Sequence, residues 1–151
     1  MSIELFKQAK LFGELTNEEL MIFADTAQKI EVASGTTIIE EGKPGDAIYI
    51  IEAGQVVVSK TENEVKSIIV TLERGEQFGE MSLIENAPTS ASVSADGPVT
   101  LLKIPRNEFI RILDQNDKIA AKIYKALATS LSRRLRQTSA DLMTWKPGFD
   151  L

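Results

Sequence analysis

Two stretches of this chain carry side chains with chemistry to offer, and the denser is the run Gln77 to Val93. Phe78 is an apolar anchor, Gly79 lets backbone approach a ligand closely, and Glu80 supplies an acid. Met81, Ser82, Leu83 and Ile84 read as one helical turn, followed by Asn86-Ala87-Pro88-Thr89 and the alternation Ser90-Ala91-Ser92-Val93. A glycine followed by a short helix points several backbone N–H groups at one spot, which suits an anion. A carboxylate beside that spot accepts hydrogen bonds from sugar hydroxyls. Together these groups would cradle a ribose phosphate. Taken alone, Phe78-Gly79-Glu80 reads as a surface turn entering a strand, because a tripeptide carries little information.

The second stretch is Arg133-Arg134-Leu135-Arg136-Gln137-Thr138-Ser139. Its three arginines read by default as a solvated face near a helix C-terminus. No DNA-reading element is expected to accompany them. Formal net charge is −5, from 17 basic and 22 acidic residues, which disfavours a polyanion as the main partner.

Other chemistries are excluded by what is missing. The chain has no histidine and no cysteine, so the commonest general base, metal ligand and thiol nucleophile are all absent. A carboxylate pair or a serine would have to do any catalysis, and no nucleophile elbow accompanies a serine. No enzyme, metal or cofactor is expected. With 151 residues, 43% hydrophobic and 26% charged, the composition is that of one soluble domain with a real core. Residues 1–11 contain Glu4, Lys7 and Lys10 without a long apolar run, so no signal peptide is expected. Nothing approaches the roughly 20 apolar residues of a membrane span. A cytoplasmic protein with no nucleic-acid or membrane partner is the expectation.

The elements that would position these groups fall into four parts of a single domain. Helices are expected over 2–27, with Thr16 and Glu19 forming a capping box and Leu20, Ile22, Phe23 and Ala27 facing inward. That segment is either a helical lid or plain core packing, and packing is the simpler reading. From 29 to 104 short β-like runs alternate with turn signals every 8–12 residues, which predicts a sandwich or barrel. The strands expected are 29–33, 37–41, 46–53, 55–60, 65–72, 90–95 and 99–104. Pro44-Gly45 reads as a type II turn, Gly54 as a tight reversal, 61–64 as a hairpin loop and Asp96-Gly97 as a hairpin. Ala91, Val93 and Ala95 predict a buried face, opposite serines that read equally as a pocket lining or a solvent face. Helical periodicity covers 106–142, with Phe109, Ile112 and Leu113 inward on the first helix, and 143–151 is left as a tail carrying Trp145 and Phe149.

The long last helix carries two apolar stripes. Ile119, Ile123 and Leu127 would lie on the β domain. Ala121, Tyr124, Ala128, Leu131, Leu135, Thr138 and Leu142 repeat at alternating three and four residues, the seam of a coiled coil. A parallel homodimer is the first reading of that seam, and a partner within the chain is the alternative.

The run 77–93 resembles the phosphate-binding cassette of the cyclic nucleotide-binding domain family. Phe78, Gly79, Glu80, Ser82, Leu83, Pro88, Ser90, Ala91, Ser92 and Val93 match its pattern without a gap. The stretch 35–54 looks like the first half of the same domain, and the resemblance covers roughly 11–134. It implies an α+β fold, a β-jelly-roll barrel flanked by N-terminal helices and a long C-terminal helix. The site it implies comprises Phe78, Gly79, Glu80, Met81, Ser82, Leu83, Thr89, Ser90 and Ala91. Thr138 and Ser139 join them by resemblance to the dimer helix of catabolite-activator-type regulators, where a Thr-Ser pair contacts adenine. One position departs: Thr89 stands where the family has the arginine that pairs with the cyclic phosphate. The expectation is therefore a regulatory module with weak or lost cyclic nucleotide binding, working through a protein partner. The alternative is a working cyclic AMP or cyclic GMP sensor, with Arg74 or Lys103 as substitute cation.

Overall fold

A row of phenylalanines organises the first 27 residues. The computed structural model describes residues 3–145, with the side chains of 138 and 140–145 outside that description. Helix α1 spans Ile3–Gln8, a 3-10 turn spans Lys10–Phe12, and α2 spans Asn17–Thr26. Thr16 caps α2 as expected: its hydroxyl accepts the Glu19 N–H at 3.2 Å, and the Glu19 carboxylate accepts the Thr16 N–H at 2.9 Å. Phe6, Phe12 and Phe23 meet edge to face, with ring centroids 5.6 and 5.0 Å apart. These residues belong to the core, the packing role expected of this segment. Ile22, expected inward, is exposed. Leu20, Phe23, Ala24 and Ala27 fill the i, i+3, i+4, i+7 stripe, and Ile22 lies off it.

Six strands follow: β1 Gln28–Val32, β2 Thr37–Ile39, β3 Ala47–Glu62, β4 Val65–Leu72, β5 Gln77–Phe78 and β6 Ser92–Pro105. Every pairing is antiparallel, in the order β1-β6-β3-β4, with β2 on β6 and β5 on β3. The sheet curls into a jelly roll but is not a closed barrel, since its path ends at β1 and β4. Four expected short strands merge into two long ones. The chain does not reverse at Gly54 or at Asp96-Gly97; the β3–β6 register slips twice between Ile51 and Gln55 instead. Gly54 sits at φ 86°, and a Cβ there would meet the Pro98 carbonyl oxygen at 2.4 Å. Its glycine signal marks a bulge that bends paired strands, not a turn between them. The type II turn expected at Pro44-Gly45 is also displaced. The chain turns three residues earlier, at Glu41-Gly42, where the Lys43 N–H donates to the Glu40 carbonyl at 3.2 Å, and Pro44 bridges to Pro88. The 61–64 loop tightens to a two-residue hairpin turn at Asn63-Glu64, with φ 51° and 68°.

The start of β3, Ala47 to Ile51, is buried on both faces, which explains its continuous apolar character. Ile48 and Ile50 enter the helical core, while Ala47, Tyr49 and Ile51 enter a second core inside the sheet. Helix α3 is the short Glu80–Glu85, α4 spans Arg106–Gln115 and α5 spans Asp117–Trp145. Phe109, Ile112 and Leu113 of α4 face inward as expected, and so do Ile119, Ile123 and Leu127 of α5. Lys122 of α5 reaches Glu19 of α2 at 2.6 Å, tying the two ends of the helical layer together. The second stripe of α5 stays in solvent, with Tyr124, Leu131 and Leu135 exposed by 50%, 43% and 68%. Ala121 and Ala128 are exposed beside them. Leu142 and the 143–151 tail side chains lie outside the described residues. No described helix is long and apolar enough to cross a membrane.

Candidate functional site

The run 77–93 leaves the sheet, makes one helical turn and returns. β5 pairs Phe78 with Tyr49, and the two rings stack at 5.0 Å with a 15° tilt. Burial, aided by Asp46, pushes the Tyr49 hydroxyl up to about 12, so this anchor stays neutral. Gly79 then turns the chain at φ 93°, where a Cβ would meet the Ala47 carbonyl oxygen at 2.7 Å. Glycine alone fits there without moving β3. α3 starts at the next residue and carries Glu80 and Ser82 into buried positions. The Ser82 hydroxyl donates to the Gly79 carbonyl at 3.4 Å.

A hollow of about 570 Å³ opens over this turn. Phe78, Gly79, Glu80, Met81 and Ser82 line it from the turn, and Thr89, Ser90 and Ala91 line it from the return segment. Ile39, Val58, Ile69, Val70 and Leu72 add an apolar wall from β2, β3 and β4. Leu83 is not among its lining residues. It is buried in the helical core, one turn from Glu80 but packed on the opposite layer. Ser139 is half-buried and does not line the hollow either. The Thr138 side chain lies outside the described residues, so the expected adenine contact has no counterpart among them. The serine face splits in use: Ser90 lines the hollow, whereas the Ser92 hydroxyl accepts the Glu41 N–H at 3.0 Å.

Thr89 sits at the hollow with its donors committed elsewhere. Its hydroxyl donates to the Glu40 carbonyl at 2.7 Å and its N–H to the Lys43 carbonyl at 3.0 Å. Glu80 is the buried acid, with a side chain only 7% exposed. Burial holds its carboxyl above the ordinary range, against the pull of its own backbone N–H, the Arg134 guanidinium and the Gln77 side chain. Arg134 lines the hollow from α5, its guanidinium 3.9 Å from the Glu80 carboxylate. It is the one cation among the described lining residues, and with its side chain 60% exposed it keeps the solvated position expected of that arginine while reaching the hollow. Arg74 and Lys103, the expected substitutes, lie elsewhere: Arg74 donates to the Glu52 carbonyl and Lys103 faces Asp46 at 4.0 Å. The signal for Arg134 was present in the spacing, since it falls seven residues after Leu127 on the inward stripe.

Comparison with known proteins follows the same outline. Residues 29–116 match the cyclic nucleotide-binding domain family. The cAMP-dependent protein kinase regulatory subunit of Aspergillus niger is 36% identical over 107 residues, 71% of this chain and 26% of that protein. The chain spans about a quarter of the length of the curated relatives it matches. Among solved structures, the catabolite activator protein of Thermus thermophilus superposes with a TM-score of 0.78 at 28% identity, covering 90% of this chain and 62% of that one. A cyclic nucleotide-binding domain from Methylobacillus flagellatus gives 0.79 at 28% identity, covering 99% and 84%. Every residue that lines the hollow, apart from Arg134, falls inside the matched stretch, and the chain belongs to the cyclic nucleotide-binding domain family.

Proposed function

We propose that the chain is a non-catalytic regulatory module whose hollow takes cyclic nucleotides weakly and which works through protein contact. Thr89 carries this reading. In the family pattern its place belongs to the arginine that meets the cyclic phosphate, and here both of its donors serve the Glu40 and Lys43 carbonyls. A charge-assisted hydrogen bond contributes about 1.5–3 kcal/mol net. Its absence therefore weakens phosphate binding by roughly 10- to 100-fold. The exposed stripe of α5 supports the protein-contact half, with a second copy in a parallel dimer as the first partner and a further regulated protein beyond it. The test is calorimetric titration of the full chain with cyclic AMP and cyclic GMP. Affinities weaker than micromolar are expected, and micromolar or tighter binding overturns the reading.

Arg134 favours one alternative, a working sensor. It lines the hollow and would serve as counter-charge if a ligand drew it away from Glu80. Under that reading cyclic AMP binds tightly and Arg134→Ala abolishes binding.

A further inference from the structure

We propose that the ligand this hollow is built for is an uncharged ribonucleoside, a base on a ribose without phosphate. The inference deepens the weakened-phosphate reading above and rests on it. The ionisable groups lining the hollow are Glu80, Glu85 and Arg134, one base against two acids, for a formal balance of 1 − 2 = −1. Arg134 already faces Glu80 at 3.9 Å. An entering anion would meet the buried Glu80 carboxylate, the exposed Glu85 carboxylate and an exposed Arg134 guanidinium it must share with Glu80. Thr89 offers it nothing, with hydroxyl and N–H both donated to carbonyls. A neutral ligand avoids that repulsion.

The polar group that remains suits a sugar. Glu80 is held in a buried position with its carboxylate on the hollow, and an ionised carboxylate has two acceptor oxygens for two neighbouring hydroxyls. Hydroxyl donors would also replace some of the hydration that burial has taken from it. The apolar wall suits a base. Ile69 and Val70 line the hollow yet remain 58% and 44% exposed, area that a flat ring would remove from water. A volume of about 570 Å³ lies within the range of small-molecule sites.

The experiment titrates the full chain with adenosine, guanosine and inosine beside their 3′,5′-cyclic monophosphates and 2′-deoxy forms. At least one ribonucleoside is expected to bind about tenfold or more tighter than its cyclic monophosphate. Its 2′-deoxy form should bind at least about tenfold more weakly, one lost hydrogen bond to a charged acceptor. Glu80→Ala should lose the ribonucleoside, and the deoxy comparison on wild type gives the same information if that variant does not fold. Equal binding of ribo and deoxy forms overturns the proposal. Absence of nucleoside binding up to about millimolar overturns it as well. If Thr89→Arg then binds cyclic AMP, the hollow is formed and the weakened-phosphate reading stands without the nucleoside. Micromolar cyclic AMP binding by the wild type sinks both.

Discussion

Glu80 is an acid held where an acid is expensive. Its carboxyl takes up a proton more readily in the fold than in the unfolded chain, because burial outweighs Arg134 and Gln77. The stability it contributes is therefore greatest below the ordinary value of 4.5 and declines as pH rises through its raised value. Glu80→Gln should melt higher than wild type by a few degrees at pH 7, and the advantage should disappear near pH 4. A lower melting point at pH 7 would mean that the Arg134 contact outweighs burial. A residue that weakens its own fold this way is typical of a binding site. At this scale the contiguous run was readable: Phe78, Gly79, Glu80, Ser82, Thr89, Ser90 and Ala91 all reach the hollow. Leu83 was misassigned because the helical turn that presents Glu80 sends it to the other layer. Ile69 and Val70 gave no signal, since a mostly exposed strand has no alternation to interpret.

Among the elements, helix faces and caps were legible and the long strands were not. The Thr16–Glu19 capping box and the α4 and α5 inward stripes follow from local spacing. A left-handed glycine looks the same at a turn and at a bulge, and only the facing strand separates the two. Gly54→Ala tests that assignment: it should cost about 2 kcal/mol or more in chemical denaturation, from positive φ and the Pro98 carbonyl. A neutral effect would remove the bulge argument. The α2–α5 tie makes a second prediction. The Lys122 contact is the main cause holding the Glu19 carboxyl below its ordinary range, with the Thr16 N–H next. That stabilisation is present at neutral pH and lost as pH falls through the lowered value. Lys122→Met should cost about 1 kcal/mol at pH 7, with the deficit shrinking in acid. A deficit independent of pH would point to lost packing of the lysine stem instead.

For the molecule as a whole, strand and turn rhythm predicted a sandwich or barrel, the family resemblance added the jelly roll with flanking helices, and neither carried its openness. Whether a sheet closes depends on which strands pair at its ends, β1 and β4 here, and pairing leaves no local mark. The exposed stripe of α5 predicts a dimer by sedimentation that Leu131→Glu or Leu135→Glu splits; a monomeric wild type removes the coiled-coil reading. The central claim is that this hollow keeps its grip on a sugar and lacks the one on a phosphate. Titrating wild type and Thr89→Arg with cyclic AMP side by side measures that grip directly. The arginine variant should bind about tenfold or more tighter than wild type. Equal affinities, or a wild type that already binds at micromolar concentration, would contradict the account.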